Sequence, residues 1–335
     1  MTPTSSGPHV HRATILDVAA AAGVSRQTVT RAMNDMPGIS ASTRERVQRL
    51  AAELGYSPSR FAKALVQGAR TSLGLAIPDL TNPYFPAFAS SVVEEATQRG
   101  WNVVLDDFGH GNGTGLDAVE RLGPQVDALV GYLGPSSGAA QSLMGRRPVV
   151  VLDYPSSRAA GGISFDYAYA ARIALERLQS RRRRRIAYLD ADQERPATTR
   201  GRAVAAAAAE TGISLTVRQA GESAQSAREA VHALMQDEGG IDGLLVYNDL
   251  MAAGALKALR DAGRRVPEDC AVIGMDGIPL GELVSPELTT LSLDLKAVGR
   301  AAVDLVDNLL SGRIQAGSPD SALVLNHQLV LRQSA

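Results

Sequence analysis

Strand-like apolar runs alternate with helix-length segments from residue 72 onward, and this alternation restricts the fold more than any other feature of the chain. The apolar runs cover residues 73–77, 103–105, 128–133, 149–152, 186–189, 244–247 and 272–275. Amphipathic segments such as 90–99 and 168–179 lie between many of them. The pattern is typical of parallel sheets covered by helices on both faces. Because about 260 residues is large for one such domain, two α/β lobes are predicted.

Residues 13–58 have a different pattern, with short helices joined by tight turns. Helices are predicted over 16–22, 26–34 and 41–54, with Thr14 and Ser40 as the N-caps of the first and third. Ala19 provides the small side chain that two steeply crossing helices need, and Gly23 tolerates the positive φ of the turn. The segment therefore fits an all-α helix-turn-helix head. The preceding residues 1–12 are predicted to form a disordered tail.

The charge of the chain is distributed unevenly. Residues 1–70 carry nine basic and four acidic side chains (net +5), whereas the remainder carries 25 basic and 31 acidic ones (net −6). A basic head on an acidic body indicates a polyanionic partner for the head, although a solvated terminal domain would show the same charges.

The second predicted helix presents base-reading chemistry at its start. Ser25 caps it and places Arg26 and Gln27 at its exposed N-terminal end, which a recognition helix directs into the major groove. Arginine pairs bidentately with guanine, and glutamine pairs with adenine. The alternative is an ordinary helical hairpin with two exposed polar residues.

The head resembles that of the LacI/GalR family of bacterial repressors. The resemblance is carried by residues 14–31 followed by Asn34, by 40–47, and by 54–58 with Ala62, and it continues through the body. It implies that three residues read bases: Arg26, Gln27 and Arg31. It also implies that six others position the DNA backbone: Thr14, Ser25, Thr30, Asn34, Ser40 and Tyr56.

The connector 59–71 resembles the family's hinge helix, which forms on operator DNA. By that resemblance Ala62 and Leu65 lie in the minor groove, where an apolar wedge can kink the duplex. A helix of this length is marginal in water, which agrees with folding on DNA. Packing of Leu65 against a dimer mate is the alternative, and Ser59 departs from the family's usual asparagine.

The body, residues 72–335, resembles the family's periplasmic-binding-protein-like core with two doubly wound parallel sheets. Lobe 1 is expected over about 72–162 plus 293–318, and lobe 2 over about 163–290 plus 320–335. Ligands of such folds bind beyond the carboxyl ends of the strands. The resemblance therefore implies these effector-binding residues: Tyr84, Phe85, Tyr132, Asp153, Phe165, Arg200, Asn248 and Asp276. Asp153 is alternatively a turn residue, and Asp249 is either a pocket residue or a helix cap.

Other function classes lack their signatures in this sequence. The five histidines show no metal-ligand spacing, and Cys270 is the single cysteine, so no metal is expected. Neither a Walker loop nor a G-x-G-x-x-G turn indicates an enzyme, and no cofactor is expected. An exported binding protein would share the body but needs a signal peptide and lacks the head. No apolar run approaches the length of a membrane span, so a cytoplasmic protein is predicted.

These observations together predict a transcriptional repressor that is regulated allosterically. A homodimer would place two heads on a near-palindromic double-stranded DNA operator. The resemblance to the LacI/GalR family implies a sugar or sugar derivative as the effector, with a nucleoside as the alternative, and both induction and corepression remain open. No leucine heptad follows the last strand, which favours a dimer over a tetramer. The basic run 181–185 is either a solvated turn or a second anion contact.

Overall fold

The computed structural model describes residues 14–33, 36–54, 56, 70–109, 113–153, 159–191, 197–237 and 240–335. The chain divides into two compact units, residues 1–71 and residues 72–335. The predicted tail 1–12, most of the hinge segment 59–71, and the residues Asn34, Ala62 and Leu65 lie outside the described residues.

The described residues of the first unit form three helices: α1 (Ile15–Ala22), α2 (Arg26–Met33) and α3 (Ala41–Glu53). Thr14 and Asp17 form a reciprocal capping box at the start of α1, and Ser40 accepts the N–H of Thr43 at the start of α3. Gly23 ends α1 in the left-handed conformation at φ 61°. The helices meet around fully buried small apolar side chains: Val18, Val29, Ala32, Val47 and Ala51.

The second unit contains two six-stranded sheets. The first has the strand order β11-β5-β4-β3-β1-β2. Its strands are β1 (Ser72–Ile77), β2 (Asn102–Asp107), β3 (Ala128–Gly131), β4 (Val149–Leu152), β5 (Gly161–Phe165) and β11 (Ala322–Leu325). All its pairings are parallel. The central strands are buried on both faces, as expected for a parallel sheet covered by helices.

The second sheet has the order β12-β10-β9-β8-β6-β7. Its strands are β6 (Ile186–Asp190), β7 (Leu215–Gln219), β8 (Gly243–Val246), β9 (Ala271–Asp276), β10 (Thr289–Ser292) and β12 (Gln328–Val330). Only the pairing of β12 with β10 is antiparallel in this sheet.

Helices connect most of the strands, so the prediction of an all-α head and a two-lobed α/β core is confirmed. Those of the core are α4 (Tyr84–Gln98), α5 (Gly115–Leu122), α6 (Ser137–Met144), α7 (Tyr167–Ser180), α8 (Thr199–Thr211), α9 (Ala224–Gln236), α10 (Asp249–Asp261), α11 (Leu280–Leu283) and α12 (Leu295–Leu310). Among the helices described, none has the length and apolar character that crossing a bilayer requires.

The expected lobe boundaries need two corrections. Residues 163–165 and 320–325 were assigned to lobe 2, but β5 and β11 pair with each other in the first sheet. Ala322 lies opposite Gly162, and Leu325 lies opposite Phe165. The chain therefore crosses between the sheets after β5, after β10, and between β11 and β12. Both strands are short: β5 begins with two glycines, and β11 is a partly exposed strand of four residues, so neither gave a signal that could place it in a sheet.

Candidate ligand cleft and nucleic-acid interface

A cavity of about 190 Å³ lies where strand ends of the two sheets face each other. Its lining combines carboxylates, amides, a guanidinium and aromatic rings, a mixture suited to a polar ligand with apolar faces. The lining residues are Pro78, Asn82, Tyr84, Phe85, Tyr132, Asp153, Arg200, Glu222, Tyr247, Asn248 and Asp276. The structure thus brings together seven of the eight residues that the sequence pointed to.

Phe165 is the exception, because it is not among the residues that line this cavity. Its ring is buried in the core, with its centroid 6.2 Å from that of Tyr167 and 6.0 Å from that of His327. The ring belongs to a core cluster that also includes Tyr167, and a contact of Phe165 with a ligand stays a prediction.

Arg200 is the central charged group of the cleft. It lies in the first turn of α8, which Thr198 caps, and is almost completely buried. Its Nη1 donates to the Asp276 carboxylate at 3.1 Å and to the Tyr247 carbonyl at 2.8 Å. The guanidinium also lies 4.5 Å from the centroid of the Tyr247 ring, a cation–π contact. These contacts fix the guanidinium in one orientation.

Asp276 and Asp153 carry the opposing charge. Burial raises the pKa of Asp276 to about 8, and the charge of Arg200 opposes this rise. Burial also raises the pKa of Asp153, opposed by Arg200 and by a hydrogen bond that Tyr167 Oη donates at 2.6 Å. Two buried carboxyl groups therefore share one nearby cation.

Asp249 holds the turn that follows Asp276. Its carboxylate accepts the backbone N–H groups of Gly277 at 2.8 Å and Ile278 at 3.0 Å, and the Thr290 hydroxyl at 2.6 Å. The cap of α10 is instead Asn248, whose Oδ1 accepts the N–H of Met251. Asp249 is therefore neither a lining residue of the cavity nor the cap of α10; it holds the turn that follows β9.

Sequence reasoning missed Glu222, Tyr247 and Tyr167. Glu222 follows β7, an edge strand whose polar alternation gave no apolar run. Tyr247 was included in a predicted strand, although it lies one residue beyond the end of β8. Tyr167 Oη accepts from Arg200 Nε at 3.2 Å, a contact between residues 33 positions apart. Only Tyr247 had a usable signal, namely its place beside Asn248 at a strand end.

The predicted base readers all lie on α2, Arg26 and Gln27 at its start and Arg31 in its last turn. Arg26 and Gln27 are exposed, whereas Arg31 is half-buried. Among the predicted backbone contacts, Ser25 and Ser40 cap helices, Thr30 donates to the Arg26 carbonyl, and Thr14 belongs to the capping box. Tyr56 is half-buried and packs against the core of the head.

Two family profiles match the chain. The profile of bacterial regulatory proteins of the lacI family matches residues 14–59, and that of the periplasmic binding protein-like domain matches residues 175–335. The regulator GalR of Escherichia coli K12 is 32% identical, covering 96% of this chain and 95% of that protein. Catabolite control protein A of Priestia megaterium is 29% identical, covering 96% and 98%.

Solved structures give the same result. A LacI family regulator from Arthrobacter sp. FB24, in complex with lactose, is 60% identical over 80% of this chain and 100% of that chain, with a TM-score of 0.78. The lac repressor dimer bound to operator and an anti-inducer is 27% identical over 97% of this chain, with a TM-score of 0.71.

The head and cleft together define a DNA-binding transcriptional regulator that responds to a small molecule, and not an enzyme. The chain belongs to the LacI family of bacterial regulatory proteins.

Proposed function

We propose that this regulator is a sugar-responsive repressor that binds a near-palindromic operator as a homodimer. The observation that carries the choice of ligand is the cleft itself, in which Arg200, Asn248 and the carboxylates offer donors and acceptors from both lobes. Tyr84 Oη lies 2.7 Å from Tyr132 Oη on one wall, and Tyr247 faces Arg200. Sugars combine hydroxyls with apolar faces and fit such a lining.

The relatives support the same ligand class. The Arthrobacter regulator, at 60% identity, is described in complex with lactose, and a regulator named CelR, at 27% identity, is described as a cellobiose complex. The lac repressor is described as a dimer on its operator. We transfer these properties to this chain as part of the proposal.

The proposed mechanism couples lobe closure to operator affinity. A ligand that contacts Asp153 in one lobe and Arg200 in the other stabilises one degree of closure over the other. A coupling free energy of about 1–3 kcal/mol would change operator affinity roughly 5–150-fold. Arg26, Gln27 and Arg31 are the proposed base readers, and Asn34, Ala62 and Leu65 keep their proposed DNA contacts.

The melting temperature of the full chain tests the ligand class. Lactose, cellobiose, monosaccharides, sugar phosphates and nucleosides are compared at saturating concentration. A ligand at 100 times its Kd adds about 2.7 kcal/mol, which raises the melting temperature by several degrees. Arg200→Met should abolish the shift, and Arg202→Met, on the exposed face of the same helix, should retain it. A response to nucleosides alone would replace the sugar in this proposal.

A further inference from the structure

Glu222 joins the two lobes across the cleft. Its Oε1 accepts a hydrogen bond from Asn82 Nδ2 at 3.3 Å and another from Asn248 Nδ2 at 3.0 Å. Asn82 follows β1 of the first sheet, and Asn248 follows β8 of the second. One carboxylate oxygen therefore receives donors from both lobes at the rim of the cavity.

The two asparagines have fixed orientations. Asn82 Oδ1 accepts the backbone N–H of Tyr84 at 3.2 Å, and Asn248 Oδ1 accepts that of Met251 at 2.8 Å. Their amide nitrogens must then face the cleft as donors. Both residues are almost completely buried, with exposed fractions of 3% and 1%. Two buried donors that converge on one point require an acceptor there, because an unsatisfied buried donor is costly.

Acidic groups outnumber basic ones around this point, and burial raises the pKa of Glu222 as well as that of Asp276. Among the lining residues that the structure describes, Asp153, Glu222 and Asp276 are acidic and Arg200 is the one basic group. Arg200 already uses Nη1 and Nε within the protein, and its charge is paired with Asp276. Glu222 therefore presents its carboxylate to a ligand without a cation in direct contact.

We propose that Glu222 selects the effector by its charge. Its carboxylate accepts hydrogen bonds from both lobes and from hydroxyl groups of the ligand, and it excludes anionic sugars. An uncharged sugar hydroxyl can donate to Glu222 while it accepts from Asn82 or Asn248. A phosphate or carboxylate at the same point meets the like charge of the Glu222 carboxylate, which is exposed at the rim, and Coulomb repulsion disfavours its binding. This inference rests on the proposed sugar-binding function and narrows it to neutral, hydroxyl-rich ligands.

Calorimetric titration of the full chain tests this selectivity. The neutral ligand is lactose or cellobiose, whichever raises the melting temperature more, and its aldonic acid is the anionic counterpart of similar size. The wild type should bind the neutral sugar at least tenfold more tightly. Glu222→Gln removes the charge and keeps an acceptor oxygen. It should reduce the ratio of the two affinities, neutral sugar over aldonic acid, at least tenfold, equivalent to about 1.4 kcal/mol. The matched control Glu229→Gln, exposed on α9 away from the cleft, should leave the ratio unchanged.

Equal affinity of the wild type for both ligands, or an unchanged ratio in Glu222→Gln, would overturn the role of Glu222 and leave the sugar proposal standing. Binding of neither ligand would overturn both, because the inference needs a sugar in the cleft.

A distance measurement without ligand tests separately whether Glu222 joins the two lobes through its hydrogen bonds to Asn82 and Asn248. Spin labels at Glu120 on α5 and Glu210 on α8, both exposed, report the distance between the lobes, and the native Cys270 is buried. Glu222→Ala should widen the distance distribution of the ligand-free protein, and Glu229→Ala should not. An unchanged distribution in Glu222→Ala would show that the carboxylate does not join the lobes.

Discussion

Asp153 and Asp276 occupy corresponding positions in the two lobes, and both have a positive φ, 55° and 116° respectively. Asp153 follows β4 of the first sheet, and Asp276 ends β9 of the second. A hydrogen-bonded path connects them, from Asp276 to Arg200, from Arg200 to Tyr167, and from Tyr167 to Asp153. Non-glycine residues in such conformations persist where the surroundings hold them, which is common at binding sites. The surrounding hydrogen bonds thus hold both carboxyl groups in place at the cleft.

Asp249 should prove necessary for the position of Asp276. We expect Asp249→Ala to lower the free energy of unfolding by about 2–3 kcal/mol, because the buried N–H groups of Gly277 and Ile278 would lose their acceptor. Effector affinity should fall as well, since the turn after β9 loosens. Urea denaturation and titration measure the two effects. Asp261→Asn, at the far end of α10, removes surface ion pairs and should cost less than about 1 kcal/mol.

Arg200 and Asp276 should behave as a coupled pair. Arg200→Met leaves a buried carboxylate without its cation, and we expect the free energy of unfolding to fall by about 3–5 kcal/mol. The loss should be larger at pH 8.5 than at pH 6, because burial already raises the pKa of Asp276 to about 8 and protonation removes the charge. Adding Asp276→Asn should recover part of the stability. If the loss of unfolding free energy in the double variant equalled the sum of the losses in the two single variants, the two groups would not be coupled.

His327 should make the core sensitive to acid. It lies between β11 and β12, it is 1% exposed, and neither ring nitrogen has a hydrogen-bond partner among the described residues. Burial lowers its pKa to about 3, below the ordinary value of 6.5. The unfolded chain therefore binds the proton more readily, and the stability that His327 contributes is complete above pH 6.5 and is lost progressively as the pH falls toward 3. By linkage the loss at pH 5 is about 2 kcal/mol.

The measurement for His327 is the melting temperature between pH 7.5 and 5 for the wild type and His327→Phe. The buried carboxyl groups of the cleft titrate with raised pKa values and act in the opposite direction, so the comparison between the two proteins isolates the histidine. We expect the variant to lose less stability than the wild type over this range. Parallel curves would show that His327 does not titrate on unfolding.

Arg26 should carry base preference. Arg26→Ala should relax the base preference at one operator position. Binding to an operator with the preferred base should weaken by about 1–3 kcal/mol. Arg49→Ala, on the exposed face of α3, should instead change affinity for all sequences by a similar and smaller amount. A binding-site panel at fixed salt concentration distinguishes the outcomes. Indistinguishable profiles for the two variants would contradict the assignment of Arg26.

The central strands were predictable from sequence, and the peripheral ones were not. Strands such as β4 and β8 are buried on both faces, so their apolar runs stand out. By contrast β7 is an exposed edge, and β12 has only three residues, so neither produces a periodic signal. Glu222 was missed for this reason, because its position depends on where β7 ends.

The sequence by itself determined the local elements: the capped helices of the head, the turn at Gly23, the alternation of strands and helices, and most of the polar residues at strand ends. These features follow from contacts between near neighbours in the chain. The tertiary structure alone decided that Glu222 accepts a hydrogen bond from Asn82, 140 residues away, and that the ring of Phe165 packs against those of Tyr167 and His327. Such relationships depend on the strand order and on the crossings between the sheets, which fix distances that no local pattern encodes.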